Sequence, residues 1–408
     1  MNLDDNAPSL KSEIGAALDY MLPELEAEPP ETFWYYQARL KTNFKLIHNT
    51  NSEFYHDCLH VYNRITGMLK PDSGYFHRRY TLFPGGHASV GSVTVSYDSY
   101  KATGRSELGW PHLAPKGWKL VDLFPCITFN LRTSVLRIDG YIPLAPNDVI
   151  LEFRALGLKS DTPEIRRQRE MDAAVIWSPF GRKFHEDLLA SSGRGIAVAK
   201  GSQPMYGLQA REEDATIHDE VGMRHHLAEW SGAWDEAPRI RTRPSASVRA
   251  PPGEDTMTVN RIEVEELVCG TCLRLDDKDW KGFLALCDEK FNYKVTAYAP
   301  EIRNDMTWLD RDRAEVEEFI GMLPKHNTHP NPLTRHAQVW KVKVAAYRAK
   351  VVSSLQIYRT ALNGGATERF AVGKHYDTVA LDGGQPRLLA RHVELDTRDL
   401  DWGTHLPL

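Results

Sequence analysis

No single folded core can run through residues 237–255, which read Ala-Pro-Arg-Ile-Arg-Thr-Arg-Pro-Ser-Ala-Ser-Val-Arg-Ala-Pro-Pro-Gly-Glu-Asp. Proline removes backbone donors, arginine and serine favour water, and hardly any apolar side chain is left to bury. The stretch reads as a solvated linker, residues 237–256, between units of residues 1–236 and 257–408. With 408 residues in all, each unit is long enough for a core of its own.

The two units differ in the order of their elements. Residues 10–26 carry apolar positions at helical spacing, interrupted at Pro23, and 33–44 read as a strand with helix following. A helix is expected from Asn51 or Ser52, capped by Ser52, towards Met68. Period-two alternation then marks strands at 89–97, 126–132, 134–143 and 149–156, with separations short enough for antiparallel pairing. Helices follow at 163–177, 184–190 and 217–230. This is an α+β pattern, one antiparallel sheet covered by helices. The second unit begins with helices at 261–275 and up to Cys287. Its strands follow at 293–298, 337–348, 351–360, 368–377 and 386–395, an order that suggests a curved sheet wrapped over helices.

Composition excludes several function classes. A net charge of -5 provides no basic field for nucleic acid. No apolar run approaches membrane-spanning length and the N-terminus is acidic, so a cytoplasmic protein with no membrane partner is expected. The five cysteines, Cys58, Cys126, Cys269, Cys272 and Cys287, are too few for a disulfide framework, and no tight Cys/His set stands ready for an iron–sulfur cluster. Cys269 and Cys272 lie within a helical pattern and read as packing residues.

The chemistry centres on Asn49-Thr-Asn-Ser-Glu-Phe-Tyr-His-Asp-Cys-Leu-His60. On a helix, the i, i+4 spacing of His56 and His60 puts both imidazoles on one face, one turn apart. With one carboxylate they make the facial triad of two histidines and an acid that holds non-haem Fe(II) with open positions. Glu186 and Asp187, at the start of the helix expected from Phe184, are the candidates. The residues alone do not choose between them, and favourable interaction with the helix dipole accounts for both equally well. Arg78, Arg79, Arg132 and Arg137 read as surface charges, any one of which would anchor a substrate carboxylate if turned inward. His225, His226, His326 and His329 read as surface residues.

The order of these features resembles the catalytic part of ring-hydroxylating Rieske non-haem iron oxygenases of the benzoate and anthranilate type. Their α subunits carry a histidine pair preceded by an acidic residue and an Asn, here His56, His60, Glu53 and Asn49, and later a Pro/Gly turn with paired acids. The second acid is the ligand in the family, which here implies Asp187. Asp219-Glu-Val-Gly-Met-Arg-His-His-Leu-Ala-Glu-Trp230 resembles their closing helix. The second unit, with Thr334-Arg-His336 and Arg391-His-Val-Glu-Leu-Asp-Thr-Arg398, resembles their β subunit. The resemblance implies an antiparallel-sheet helix-grip catalytic domain followed by an NTF2-like cone. Family α subunits begin with a Rieske domain, whereas this sequence starts near the junction after it, so no Rieske cluster is expected here. Glu53 stands where the family has Asp.

What the resemblance implies is a mononuclear Fe(II) site at His56, His60 and Asp187 that hydroxylates an aromatic compound. Glu53 would lie on the electron path and Asn49 at the substrate. Electrons would come from a separate Rieske ferredoxin-type protein and an NAD(P)H-dependent reductase, and the assembly would be a homotrimer. Two other readings use the same residues: a ring-cleaving Fe(II) dioxygenase that needs no donor, and a non-catalytic assembly subunit.

Overall fold

A computed structural model describes residues 8–52, 55–65, 79–91, 108–115, 117–201, 221–233, 261–326, 329–345, 347–381 and 385–408. The segment expected to be a linker, along with Glu53 and Arg78, lies outside them. Among the described residues, no helix is long and apolar enough to cross a membrane.

The first unit is built on one antiparallel sheet of β1 (Pro30–Leu40), β2 (Arg79–Phe83), β3 (His87–Gly91), β4 (Trp118–Leu123), β5 (Ile127–Arg132), β6 (Val135–Ala145) and β7 (Asp148–Leu158). The spatial order β1-β7-β6-β5-β4-β3-β2 is a meander from β2 to β7, with β1 added beside β7. Side-chain alternation divides the two faces. Leu136, Leu158 and, less buried, Ile138 and Leu156 pack with Ala17 and Met21 at α1 (Leu10–Asp19). Val135, Tyr141, Leu151 and Phe153 share the other face with Ile47 of α3 (Phe44–Ser52), Trp177 of α5 (Pro163–Trp177) and Phe184 and Leu188 of α6 (Phe184–Ala199). Two short helices, α2 (Leu22–Glu26) and α4 (Val61–Ile65), and α7 (Val221–Ala233) complete the unit.

The turn between α5 and α6 sets where α6 begins. Thr162 caps α5 by accepting from the Ile165 amide, and the extended backbone at Ser178 ends the helix before Pro179. A Cβ on Gly181 would collide with the Ile176 carbonyl, so only glycine allows the chain to fold back this tightly.

The second unit packs α8 (Arg261–Asp276), α9 (Trp280–Ala285) and α10 (Arg313–Met322) with a six-stranded sheet. Its strands are β8 (Cys287–Ala299), β9 (Asn304–Asp312), β10 (Leu333–Ala345), β11 (Arg348–Thr360), β12 (Thr367–Ala380) and β13 (Arg387–Leu395), ordered β10-β11-β12-β13-β8-β9. All its pairings are antiparallel except β13 with β8. β9 and α10 were not anticipated from sequence, because the strand carries several polar residues. The capping box of Asp312 and Glu315 marks where the strand becomes helix.

The two units share a core. Trp308 of β9 packs edge-on against Tyr36 of β1, with ring centroids 5.7 Å apart, and its carbonyl accepts from Ser178 Oγ at 2.8 Å. Trp308→Ala is expected to cost about 3–5 kcal/mol. Because the cavity opens between the units, denaturant unfolding followed by calorimetry should resolve two transitions where the unsubstituted chain has one.

Candidate metal centre

The histidine pair does not lie on one α-helix as its spacing suggested. α3 ends at Ser52, residues 55–58 form a single 3-10 turn, and α4 starts only at Val61. Side chains claim the carbonyls that a continuing helix would use. Asn63 Nδ2 donates to the Asp57 carbonyl at 3.0 Å, and Arg64 Nη1 donates to those of Cys58 and Leu59 at 2.7 and 3.0 Å. Ser52 caps no helix here and instead hydrogen-bonds Asp122. The broken path still brings the rings together, with His56 and His60 centroids 5.5 Å apart.

The first turn of α6 supplies two carboxylates that play different parts, because neighbouring helical residues point in different directions. Asp187 Oδ1 lies 3.1 Å from His60 Nε2 and 3.5 Å from His56 Nε2. Glu186 Oε2 lies 3.0 Å from the other ring nitrogen, His60 Nδ1. Asp187 Oδ1 is buried and makes no well-formed hydrogen bond among the described residues, although two imidazoles face it. Donor atoms sharing a first-row metal in adjacent positions sit roughly 3 Å apart, so two imidazole nitrogens and this orphaned oxygen fit such an ion. Asp57 also brings an oxygen near both imidazoles. That oxygen, however, is 3.9 Å from His60 Nε2 and already accepts from Asn63 at 3.0 Å, so it fits less well.

Electrostatics favours the charged acids. Burial pushes the Asp187 and Glu186 carboxyls up, but the facing histidines outweigh it and hold both below their ordinary values. Burial pulls His60 down, and the two carboxylates lift it above the usual imidazole value.

His326, read as a surface residue from sequence, is buried and faces Glu186 Oε1 at 3.7 Å. The 3-10 turn Leu323–Lys325 after α10 directs it back towards α6. It stacks on His405 with centroids 4.2 Å apart; His405 meets His185 at 4.3 Å, and His185 Nδ1 is 2.5 Å from the Trp402 carbonyl. No local pattern foretold this contact, since it joins residues far apart in sequence. Asn49 is fully buried on α3, and its amide has no hydrogen-bond partner among the described residues.

A family model described as the ring hydroxylating beta subunit matches residues 272–401. The methanesulfonate monooxygenase hydroxylase subunit beta of Methylosulfonomonas methylovora is 38% identical over 154 residues, 36% of this chain and 85% of that subunit. This chain belongs to the ring-hydroxylating oxygenases. Its N-terminal region is α-subunit-like. The alpha subunit of the same Methylosulfonomonas enzyme is 46% identical over 252 residues, 62% of this chain and 59% of that subunit. The 2-aminobenzenesulfonate 2,3-dioxygenase subunit alpha of an Alcaligenes species is 38% identical over 232 residues, 56% of this chain and 58% of that subunit. The chain thus spans less than two thirds of the alpha subunits it matches.

This oxygenase chain holds a second cluster of histidines and a carboxylate, of a different kind. His48 Nε2 is 2.6 Å from Asp122 Oδ1, and His226, also expected at the surface, stacks on His48 with centroids 3.9 Å apart. Both Asp122 oxygens already accept, from Ser52 and from Thr128, so the cluster is a buried polar network.

Two expectations follow. Glu186→Gln should lower Fe(II) or Co(II) affinity about 10–100-fold without unfolding the protein, as loss of a partner behind a ligand does; titration by Co(II) absorbance measures it. Burial, with His48 beside it, takes His226 down to about 3. Below the unfolded value the unfolded chain binds more protons, so stability should fall from about pH 6.5 towards pH 3 by up to roughly 1.4 kcal/mol per unit. His226→Gln should flatten that slope in urea melts.

Proposed function

We propose that the chain is the oxygenase component of a hydroxylating system whose mononuclear Fe(II) is held by His56, His60 and Asp187. The observation that carries this reading is the approach of Asp187 Oδ1 to both Nε2 atoms, 3.1 and 3.5 Å, while it makes no well-formed hydrogen bond among the described residues. When bound, iron supplies the oxygen-activating chemistry. The residues supply the setting. Glu186 accepts from His60 Nδ1–H, which fixes the ring's orientation and leaves Nε2 as the donor atom. Phe153, Phe184 and Leu188 wall the cavity beside Asp187 and keep water from the reacting carbon.

The substrate in this reading is a small organosulfonate, because the names of both enzymes matched above give sulfonates whose organic parts differ. Electrons come from a Rieske ferredoxin-type protein fed by an NAD(P)H-dependent reductase and enter beside Glu53. The working assembly is a homotrimer.

Anaerobic purification with Fe(II) should yield roughly one iron per chain, lost on His56→Ala or Asp187→Ala. Oxygen uptake with methanesulfonate should require the Rieske donor. If Asp187→Ala keeps the iron while Glu186→Ala loses it, the ligand assignment is wrong.

A further inference from the structure

Alternation along β6 puts Arg137, Asp139 and Tyr141 on the face that carries α3 and α6. All three line a cavity with Asn51, Phe153 and Asp187, which joins the candidate metal centre to the interior of the sheet. The cavity is narrow, about 20 Å³, and Arg137 is the one cation among its lining residues.

A guanidinium buried in this way carries a desolvation cost that a structural arginine offsets by saturating its donors. The chain provides its own comparison. Arg391 donates through Nε and Nη2 to both oxygens of Asp377, at 2.9 and 2.8 Å, and through Nη1 to Thr271 at 2.9 Å. Arg169 is similarly occupied by Asp161, Ser134 and Gly109. Arg137 is not. Its hydrogen-bond partner among the described residues is Asp139, through Nη2 at 2.6 Å, and its buried Nε has none. It lies over the rings of Phe153 and Trp177, 5.1 and 4.9 Å from their centroids, which leaves the planar edge for hydrogen bonding.

We propose that Arg137 is the anion anchor of the substrate site, the guanidinium edge left unpaired among the described residues taking the sulfonate as the lining side chains move apart to admit it. The inference rests on the proposed function only in taking this cavity as the substrate's. A sulfonate stays ionised at every physiological pH and presents paired oxygens to a fork of N–H donors. Asp139 competes for the same guanidinium, taking one Nη2 hydrogen bond. Burial lifts its carboxyl to about 6 despite Arg137. Arg132 is buried as well, but it does not line this cavity.

The test is calorimetric titration of the full-length, iron-free protein with methanesulfonate and benzenesulfonate, using acetate and benzoate as carboxylate counterparts. Arg137→Gln should weaken sulfonate binding at least tenfold. Arg137→Lys, which keeps the charge but loses the fork, should fall between Gln and the unsubstituted protein. Asp139→Asn, which removes the competing carboxylate, should bind sulfonate at least as tightly, and it keeps the proposal falsifiable if the Gln variant does not fold. Sulfonate binding within twofold of the unsubstituted protein in Arg137→Gln, or weakened binding in Asp139→Asn, would overturn the anchor. So would an unsubstituted protein that binds no sulfonate. Binding through Arg137 without oxygen uptake leaves the anchor standing and overturns the proposed reaction.

Discussion

One imidazole is gripped at both ring nitrogens by consecutive residues of one helix, and the candidate site depends on that grip. His60 meets Asp187 through Nε2 and Glu186 through Nδ1. The two carboxylates reach opposite sides of the ring only because α6 starts where it does, and that start is dictated by the tight turn at Gly181. Shifting the helix by one residue would rotate both acids by about 100° and dissolve the arrangement.

The molecule treats buried polarity in two ways. Some buried charges have well-formed hydrogen bonds, as Arg391 has with Asp377 and Thr271. Around the cavity several are incomplete among the described residues: Asp187 Oδ1, Arg137 Nε and Asp139 Oδ1 are buried without well-formed partners, as are Glu24 Oε2 and Arg335 Nε elsewhere. Unpaired groups of this kind cost on the order of 1–3 kcal/mol each. A fold that retains several of them in one place is stabilised elsewhere, here by the aromatic core around Tyr36, Phe153, Phe184 and Trp308.

Much of the frame was legible in the sequence. Alternation located β5, β6 and β7, and the helix over residues 163–177 has the bounds its apolar spacing implied. Three things were not legible, for physical reasons. A spacing of four fits one helical face, but a 3-10 turn can also bring the ends together, and Asn63 and Arg64 favour the turn. Two acids in a first helical turn are explained equally well by the dipole, so only the backbone direction separates Glu186 from Asp187. The burial of His326 and Arg137 is decided by partners distant in sequence, which no local window contains.

In the Methylosulfonomonas relatives the α-like and β-like parts are separate subunits, whereas here one chain carries both. The contacts between Trp308 and Tyr36, and between His326 and Glu186, therefore form within a single molecule. A tether replaces the bulk concentration of a partner by an effective one. Dilution that would separate two subunits leaves such a pair together. Translation of one message also fixes their ratio at one to one, so neither part accumulates with its half of the shared core open to solvent.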